Sequence, residues 1–153
     1  MADKSLFEKI ADGELPSYKV WEDDTHVAFL TPFANTLGQT VIAPKKNIGA
    51  YMFDLSEDEL TAFMLAVKKV AKLLQKAFAV PKVGMVIEGE GVAHVHAKLY
   101  PMHGIQDDRS KFPKHTAFFK QYPGYLASFE GPKMTDEELA EVQKQIVEAA
   151  DEA

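Results

Sequence analysis

His94-Val95-His96-Ala97-Lys98-Leu99-Tyr100-Pro101 is the stretch from which the fold and the chemistry are read. Apolar and polar residues alternate along it, the period of a half-buried β-strand. Successive side chains of a strand point to opposite faces, so Val95, Ala97 and Leu99 share one face and His94, His96, Lys98 and Tyr100 the other. A core has no use for two histidines and a lysine side by side. A solvated sheet face would carry them, although Thr, Glu and Lys serve that purpose more commonly than paired His. The surrounding sequence has to decide between a solvated face and a reactive one.

Immediately upstream, Val83–Ile87 reads as another strand, and Glu88-Gly89-Glu90-Gly91 as the turn that joins the two in a hairpin. Before that hairpin lies the strongest helical pattern of the chain. Ser56 with Glu59 forms a capping box, and Leu60, Phe63, Met64, Val67, Ala71 and Leu74 recur at helical spacing until Pro81. Nearer the N-terminus, Tyr18–Glu22 and His26–Leu30 read as a hairpin around Asp23-Asp24, and Thr40–Ala43 as a third strand stopped by Pro44. A first short helix starts at Ser5, with Glu8 completing its capping box, and stops near Gly13. A last helix begins at Pro132 and Thr135, capped by Thr135 with Glu138, with Leu139, Val142 and Ile146 as a narrow apolar stripe. This order predicts an α+β fold: a mainly antiparallel five-stranded sheet with helices against one face, plus a C-terminal arm and helix. The arm, Gly104 to Lys133, has no clear periodicity. It is rich in aromatics (Phe112, Phe118, Phe119, Tyr122, Tyr125 and Phe129), which suits a wrapping arm or a substrate lid.

Composition narrows the classes. The chain has 153 residues, 46% of them hydrophobic and 26% charged, the balance of one ordinary globular domain. Its formal net charge of −6 argues against a nucleic-acid duplex as partner, while leaving room for a small anion at a local positive site. No apolar run nears the roughly 18 residues of a membrane span, and no signal peptide is visible, so the cytoplasm is the expected compartment. The absence of Cys excludes disulfides and thiolate metal sites.

At this point the residues resemble a known family, the histidine triad (HIT) nucleotide hydrolases and transferases. The family signature is H-φ-H-φ-H-φ-φ, with φ apolar and often a Pro after it, and the stretch from His94 to Pro101 is similar to it. The likeness extends to L-F-E-K-I-A-D-G-E-L-P-S-Y-K-V-W-E-D-D from Leu6 to Asp24, to His26–Leu30, and to G-Q-T-V-I-A-P-K-K from Gly38 to Lys46. It is co-linear over residues 5–103. On this basis residues 1–103 form a HIT-like domain and 104–153 an extension packed on that domain or on a dimer partner. A cupin metal site also carries H-x-H on a strand, but it wants a Glu three or four residues on, where this chain has Leu99 and Tyr100.

The resemblance implies a homodimer acting on a nucleotide, a purine nucleotide by preference, without a cofactor. It implies that His96 attacks the α-phosphorus to form a nucleotidyl-histidine, with the backbone carbonyl of His94 fixing the His96 tautomer. A neutral imidazole is a competent nucleophile near pH 7 when an acceptor holds its other nitrogen. It implies a base pocket of Phe7, Ile10, Phe29 and Leu30, residues that would serve a core equally well. Departures from the family pattern are also present. Lys98 replaces the third histidine and would act as a phosphate clamp. Gln39 replaces the histidine of the G-H segment. Thr31 stands where an acidic or amide residue often holds the ribose. Glu90 stands among the usual phosphate donors. Some members bind zinc through Cys-x-x-Cys and a His; those positions here are Ser5, Glu8 and Asn47, so no metal is expected. The departures sustain a second class of reading, a non-catalytic nucleotide-binding or scaffold protein on the same fold.

Overall fold

Three of the chain's helices begin with the same reciprocal cap. In the computed structural model, which describes residues 3–105 and 133–151, Ser5, Ser56 and Thr135 each accept a hydrogen bond from the backbone N–H three residues on. The carboxylates of Glu8, Glu59 and Glu138 each accept from the backbone N–H of the cap in return. Each pair satisfies two N–H groups that a helix start otherwise leaves open. The helices that follow are α1 (Leu6–Ala11), α2 (Glu57–Phe78) and α3 (Asp136–Asp151). A single 3-10 turn over Met52–Asp54 leads into α2. That helix ends at Phe78, three residues before Pro81, and its C-cap Ala79 has a left-handed backbone (φ 49°) that turns the chain out of the helix.

The strands are β1 (Lys19–Glu22), β2 (His26–Leu30), β3 (Thr40–Pro44), β4 (Val83–Val86) and β5 (Ala97–Pro101). They form one antiparallel sheet in the order β1-β2-β3-β5-β4, the expected architecture. The β4–β5 hairpin thus inserts its second strand between β4 and the N-terminal meander. Ile42 lies opposite Ala97 and Val41 opposite Lys98, and on the other side Val86 also lies opposite Lys98.

The histidine stretch departs from expectation in one respect: the ladder starts at Ala97, so His94 and His96 precede the strand. Their backbone is held by other partners. Val95 N–H donates to the Gly49 carbonyl at 2.7 Å, and Asn47 Nδ2 donates to the Ala93 carbonyl at 2.9 Å. The loop after β3 therefore replaces the sheet as the scaffold of these residues. Facial alternation survives nonetheless. Val95, Ala97 and Leu99 join the large core on the α2 side of the sheet, with Ala28, Leu30, Ile42, Phe63, Val70 and Leu74.

Leu139, Val142 and Ile146 of α3 are buried in that same core, and Gln143 Nε2 donates to the Lys19 carbonyl of β1 at 2.6 Å. Fully burying an aliphatic side chain of this size contributes about 1.5–3 kcal/mol, so the narrow stripe is enough to seat α3 on α2 and β1. The helices do not all share one face, however. Phe7 and Ile10 of α1 cover the opposite face of the sheet, packing with Val27, Phe29, Val41 and Ala43. The arm with its six aromatics lies outside the described residues except at its ends, as does Pro132. Among the described residues, no helix is long and apolar enough to cross a membrane.

Candidate active site

The face covered by α1 is the face of the histidines. Phe7 lies edge-on to both rings, with centroids 5.5 Å from His94 and 5.0 Å from His96. Its other neighbour is Phe29, at 5.6 Å. Phe7 is therefore brought to His96, with Phe29 against it and Ile10 in the same apolar cluster. Leu30 is not: one residue along β2 it points across the sheet into the α2 core, so the expected base pocket loses that member to strand alternation. Thr31 and Gln39 sit together past the end of the β2–β3 ladder, where Thr31 N–H donates to the Gln39 carbonyl at 3.4 Å. Their side chains are spent locally. Thr31 Oγ1 accepts from Phe33 N–H, and Gln39 Oε1 accepts from Asn35 N–H at 2.8 Å.

His94 is fully buried and both its ring nitrogens are engaged. Nε2–H donates to the Pro44 carbonyl at 2.9 Å, since a carbonyl can only accept. Nδ1 of the neutral ring is then an acceptor, and it takes the hydroxyl hydrogen of Ser5 at 2.7 Å. The same reasoning applies to His96. Its Nδ1–H donates to the His94 carbonyl at 2.8 Å, which leaves Nε2 with a bare lone pair. No second hydrogen-bond partner of His96 exists among the described residues, and no buried side-chain N or O atom among them is unpartnered. The bare Nε2 therefore opens to solvent although the ring as a whole is buried. Burial is the main cause that holds the His96 pKa below its ordinary value; the charge of Lys98 adds to the lowering, while the bond to His94 and the charge of Glu88 oppose it. Burial likewise lowers the pKa of His94, against the bond to Pro44 and the charge of Glu8. Both rings are thus kept neutral at pH 7.

Ser5, Glu8 and Asn47, far apart in sequence, meet beside His94. One Glu8 oxygen accepts from Ser5 N–H at 2.8 Å and the other from Asn47 N–H at 3.2 Å. Asn47 Oδ1 accepts from Gly49 N–H at 3.0 Å while its amide group holds Ala93. These residues saturate one another, and the set offers no thiolate and no free ring nitrogen, so it does not fit a zinc ion. Among the described residues, no group of three or more His, Cys, Asp or Glu is arranged to hold a metal.

Lys98 lies on the His96 face as expected, but its ammonium is paired with the carboxylate of Glu88. Glu88 was not among the expected site residues. The signal lay in the hairpin register: Glu88 has the same parity as Val86, which opposes Lys98. Glu90, which would have set a charge against phosphate, is exposed. The turn can take this shape because Gly89 (φ 75°) would, with a Cβ, meet the Ala50 carbonyl oxygen at 2.6 Å. The other described histidines are elsewhere. His26 stacks on Phe63 on the α2 side, and His103 lies against Phe78, its Nε2 3.0 Å from the Leu37 carbonyl.

A family model described as the HIT domain matches residues 12–104. An uncharacterized HIT-like protein of Methanocaldococcus jannaschii is 31% identical over 70% of this chain and 85% of its own. The adenosine 5'-monophosphoramidase of Saccharomyces cerevisiae is 33% identical over 63% of this chain and 61% of its own. Among solved structures, a HIT-like protein involved in cell-cycle regulation from Bartonella henselae, crystallised with an unknown ligand, superposes with a TM-score of 0.69. It is 26% identical and covers 95% of both chains.

Proposed function

The chain belongs to the HIT domain family, and from that premise we propose that it is a nucleotide hydrolase or nucleotidyl transferase with His96 as its nucleophile. The observation that carries this reading is the 2.8 Å bond from His96 Nδ1–H to the His94 carbonyl. It commits the proton to Nδ1 and leaves Nε2 free to attack. The lowered pKa keeps that nitrogen unprotonated at neutral pH, as nucleophilic catalysis requires. Attack of Nε2 on the α-phosphorus expels the leaving group and forms a nucleotidyl-histidine; water or another acceptor then takes the nucleotidyl group and restores the ring.

Lys98, two residues on along the same face, is the cation for the charge that gathers on a phosphate oxygen bound to His96, a reading supported by the action of its charge on the His96 ring. Phe7, Ile10 and Phe29 form the apolar wall for the base. The yeast relative makes adenosine phosphoramidate the first substrate to try, and a purine nucleotide the preferred class. Two copies are proposed to associate through the edge of β4, which pairs only with β5 among the described residues and carries Met85, 44% exposed.

The test uses a panel of adenosine phosphoramidate, dinucleoside polyphosphates and nucleotide sugars labelled at the α-phosphorus. Quenching in alkali preserves a phosphoramidate adduct. An adduct in wild type, absent from His96→Ala together with turnover, is the expected result. Turnover unchanged in His96→Ala would end the proposal and leave a nucleotide-binding role.

A further inference from the structure

The hairpin that carries the reactive face brings a carboxylate to it from the end of its first strand. In the β4–β5 ladder Val83 opposes Pro101 and Val86 opposes Lys98. The ladder ends at that pair, but Glu88 keeps the parity of Val86, and its charge acts on the His96 ring. The side chain is only 7% exposed, and its carboxylate meets the ammonium of Lys98, two residues beyond His96. A carboxylate so enclosed must serve either the fold or the chemistry. For the fold alone the pair is a poor investment, because taking both charges from water offsets most of their attraction.

We propose that Glu88 is the catalytic base of the second half-reaction, accepting the proton of the water or acceptor that attacks the nucleotidyl group on His96. The inference rests on the reading of His96 given above. In the resting enzyme Glu88 shares the ammonium of Lys98. When substrate enters, its anionic phosphate oxygens compete for that ammonium, and the carboxylate is released toward the phosphorus.

In the first half-reaction the Nε2–phosphorus bond forms and the bond to the leaving group breaks, the electron pair going with the leaving group, which takes a proton from solvent. The ring keeps its Nδ1–H and becomes cationic. In the second, a water oxygen bonds to phosphorus, its proton passes to Glu88, and the Nε2–phosphorus bond breaks with its electrons returning to the ring. His96 is again neutral with its proton on Nδ1, and Glu88 gives its proton to solvent. An acceptor hydroxyl or amine loses its proton to Glu88 in the same way, so one group serves hydrolysis and transfer.

The experiment is a rapid-quench time course with α-labelled adenosine phosphoramidate, or the best substrate of the panel, on wild type and Glu88→Gln. Gln keeps the shape and a polar contact to Lys98 but cannot take a proton at neutral pH. The expected result is adduct formation at the wild-type rate with adduct hydrolysis slowed by about a hundredfold or more, so that the phosphoramidate accumulates. Hydrolysis at the wild-type rate overturns the proposal. So does an equal slowing of both steps, which is the behaviour of a residue that only holds Lys98, because the charge of Lys98 serves both. If Glu88→Gln does not fold, Glu88→Asp withdraws the carboxylate by one methylene and is judged by the same two rates. Failure of the His96 reading is distinguishable: no adduct forms in wild type, and His96→Ala turns over normally.

Discussion

The Ser5 hydroxyl donates to Nδ1 of His94 at 2.7 Å, joining residues 89 positions apart in sequence. Ser5 is also the N-cap of α1 and accepts from Glu8 N–H. One hydroxyl therefore starts a helix and satisfies the acceptor nitrogen of the ring whose backbone carbonyl orients His96. Ser56 provides an internal control, because it caps α2 with the same reciprocal pair and hydrogen-bonds to no histidine among the described residues. Ser56→Ala is expected to cost about 1 kcal/mol, the ordinary loss of a cap. Ser5→Ala also leaves a buried ring nitrogen unpaired and is expected to cost about 2–4 kcal/mol. Urea denaturation of the two variants checks this; equal losses would mean that the hydroxyl does nothing for His94.

The lowered pKa values of His94 and His96 fix the sign of the acid response. Above about pH 6.5 both rings are neutral whether the chain is folded or not. As the pH falls through that value, the unfolded chain binds protons that the folded rings refuse, so stability falls until the lowered folded values are reached. The carboxyls of Glu8 and Glu59, also held low by their cap hydrogen bonds, add their losses further down, from the usual carboxylate range, where the unfolded chain protonates, to below it. Urea midpoints are expected to decline between about pH 7 and about pH 5. The acid limb of kcat/KM should lie below the pH at which a free imidazole titrates, because the free enzyme keeps His96 neutral. A midpoint that is flat or rises across this range would contradict the burial of the rings.

Much of this was legible in the sequence, for identifiable reasons. Capping boxes are local, so Ser5–Glu8, Ser56–Glu59 and Thr135–Glu138 announce three helix starts. Alternation is local too, so the face shared by His94, His96 and Lys98 follows from the stretch itself. What escaped was set by non-local partners. The ladder begins at Ala97 because Gly49 and Asn47 hold the preceding backbone. Leu30 leaves the base pocket because the parity of β2 assigns it to the α2 core. Glu88 becomes visible only once Val86 is known to oppose Lys98.

The proposed association of two copies makes a direct prediction at the sheet edge. β4 pairs only with β5 among the described residues, and Met85 stands 44% exposed on it. An unguarded edge with an apolar side chain is a template for another strand. Sedimentation of wild type at micromolar concentration is expected to give a dimer, and Met85→Lys a monomer that keeps its circular dichroism. A monomeric wild type would remove the dimer.

Lys98 is the residue for which stability and activity should part company. Its ammonium has two tasks: it neutralises the enclosed carboxylate of Glu88 and, in the proposed reaction, it meets the charge that builds on the phosphate. Lys98→Met removes both. Enclosing the carboxylate without that cation is expected to cost about 1–3 kcal/mol of stability, and the lost cation about 2–4 kcal/mol in the barrier, the range for removal of an oxyanion donor. The two losses have different remedies. Adding Glu88→Gln to Lys98→Met removes the uncompensated charge, so the double variant should recover most of the stability and none of the activity. Lys98→Arg retains a cation that can reach both groups and should keep more kcat/KM than Lys98→Met. Urea midpoints and kcat/KM for these variants against the best substrate of the panel decide the matter. If Lys98→Met is as active as wild type, the ammonium serves Glu88 alone and the phosphate is stabilised by other groups. If the double variant recovers activity along with stability, the pair restrains the site instead of serving it.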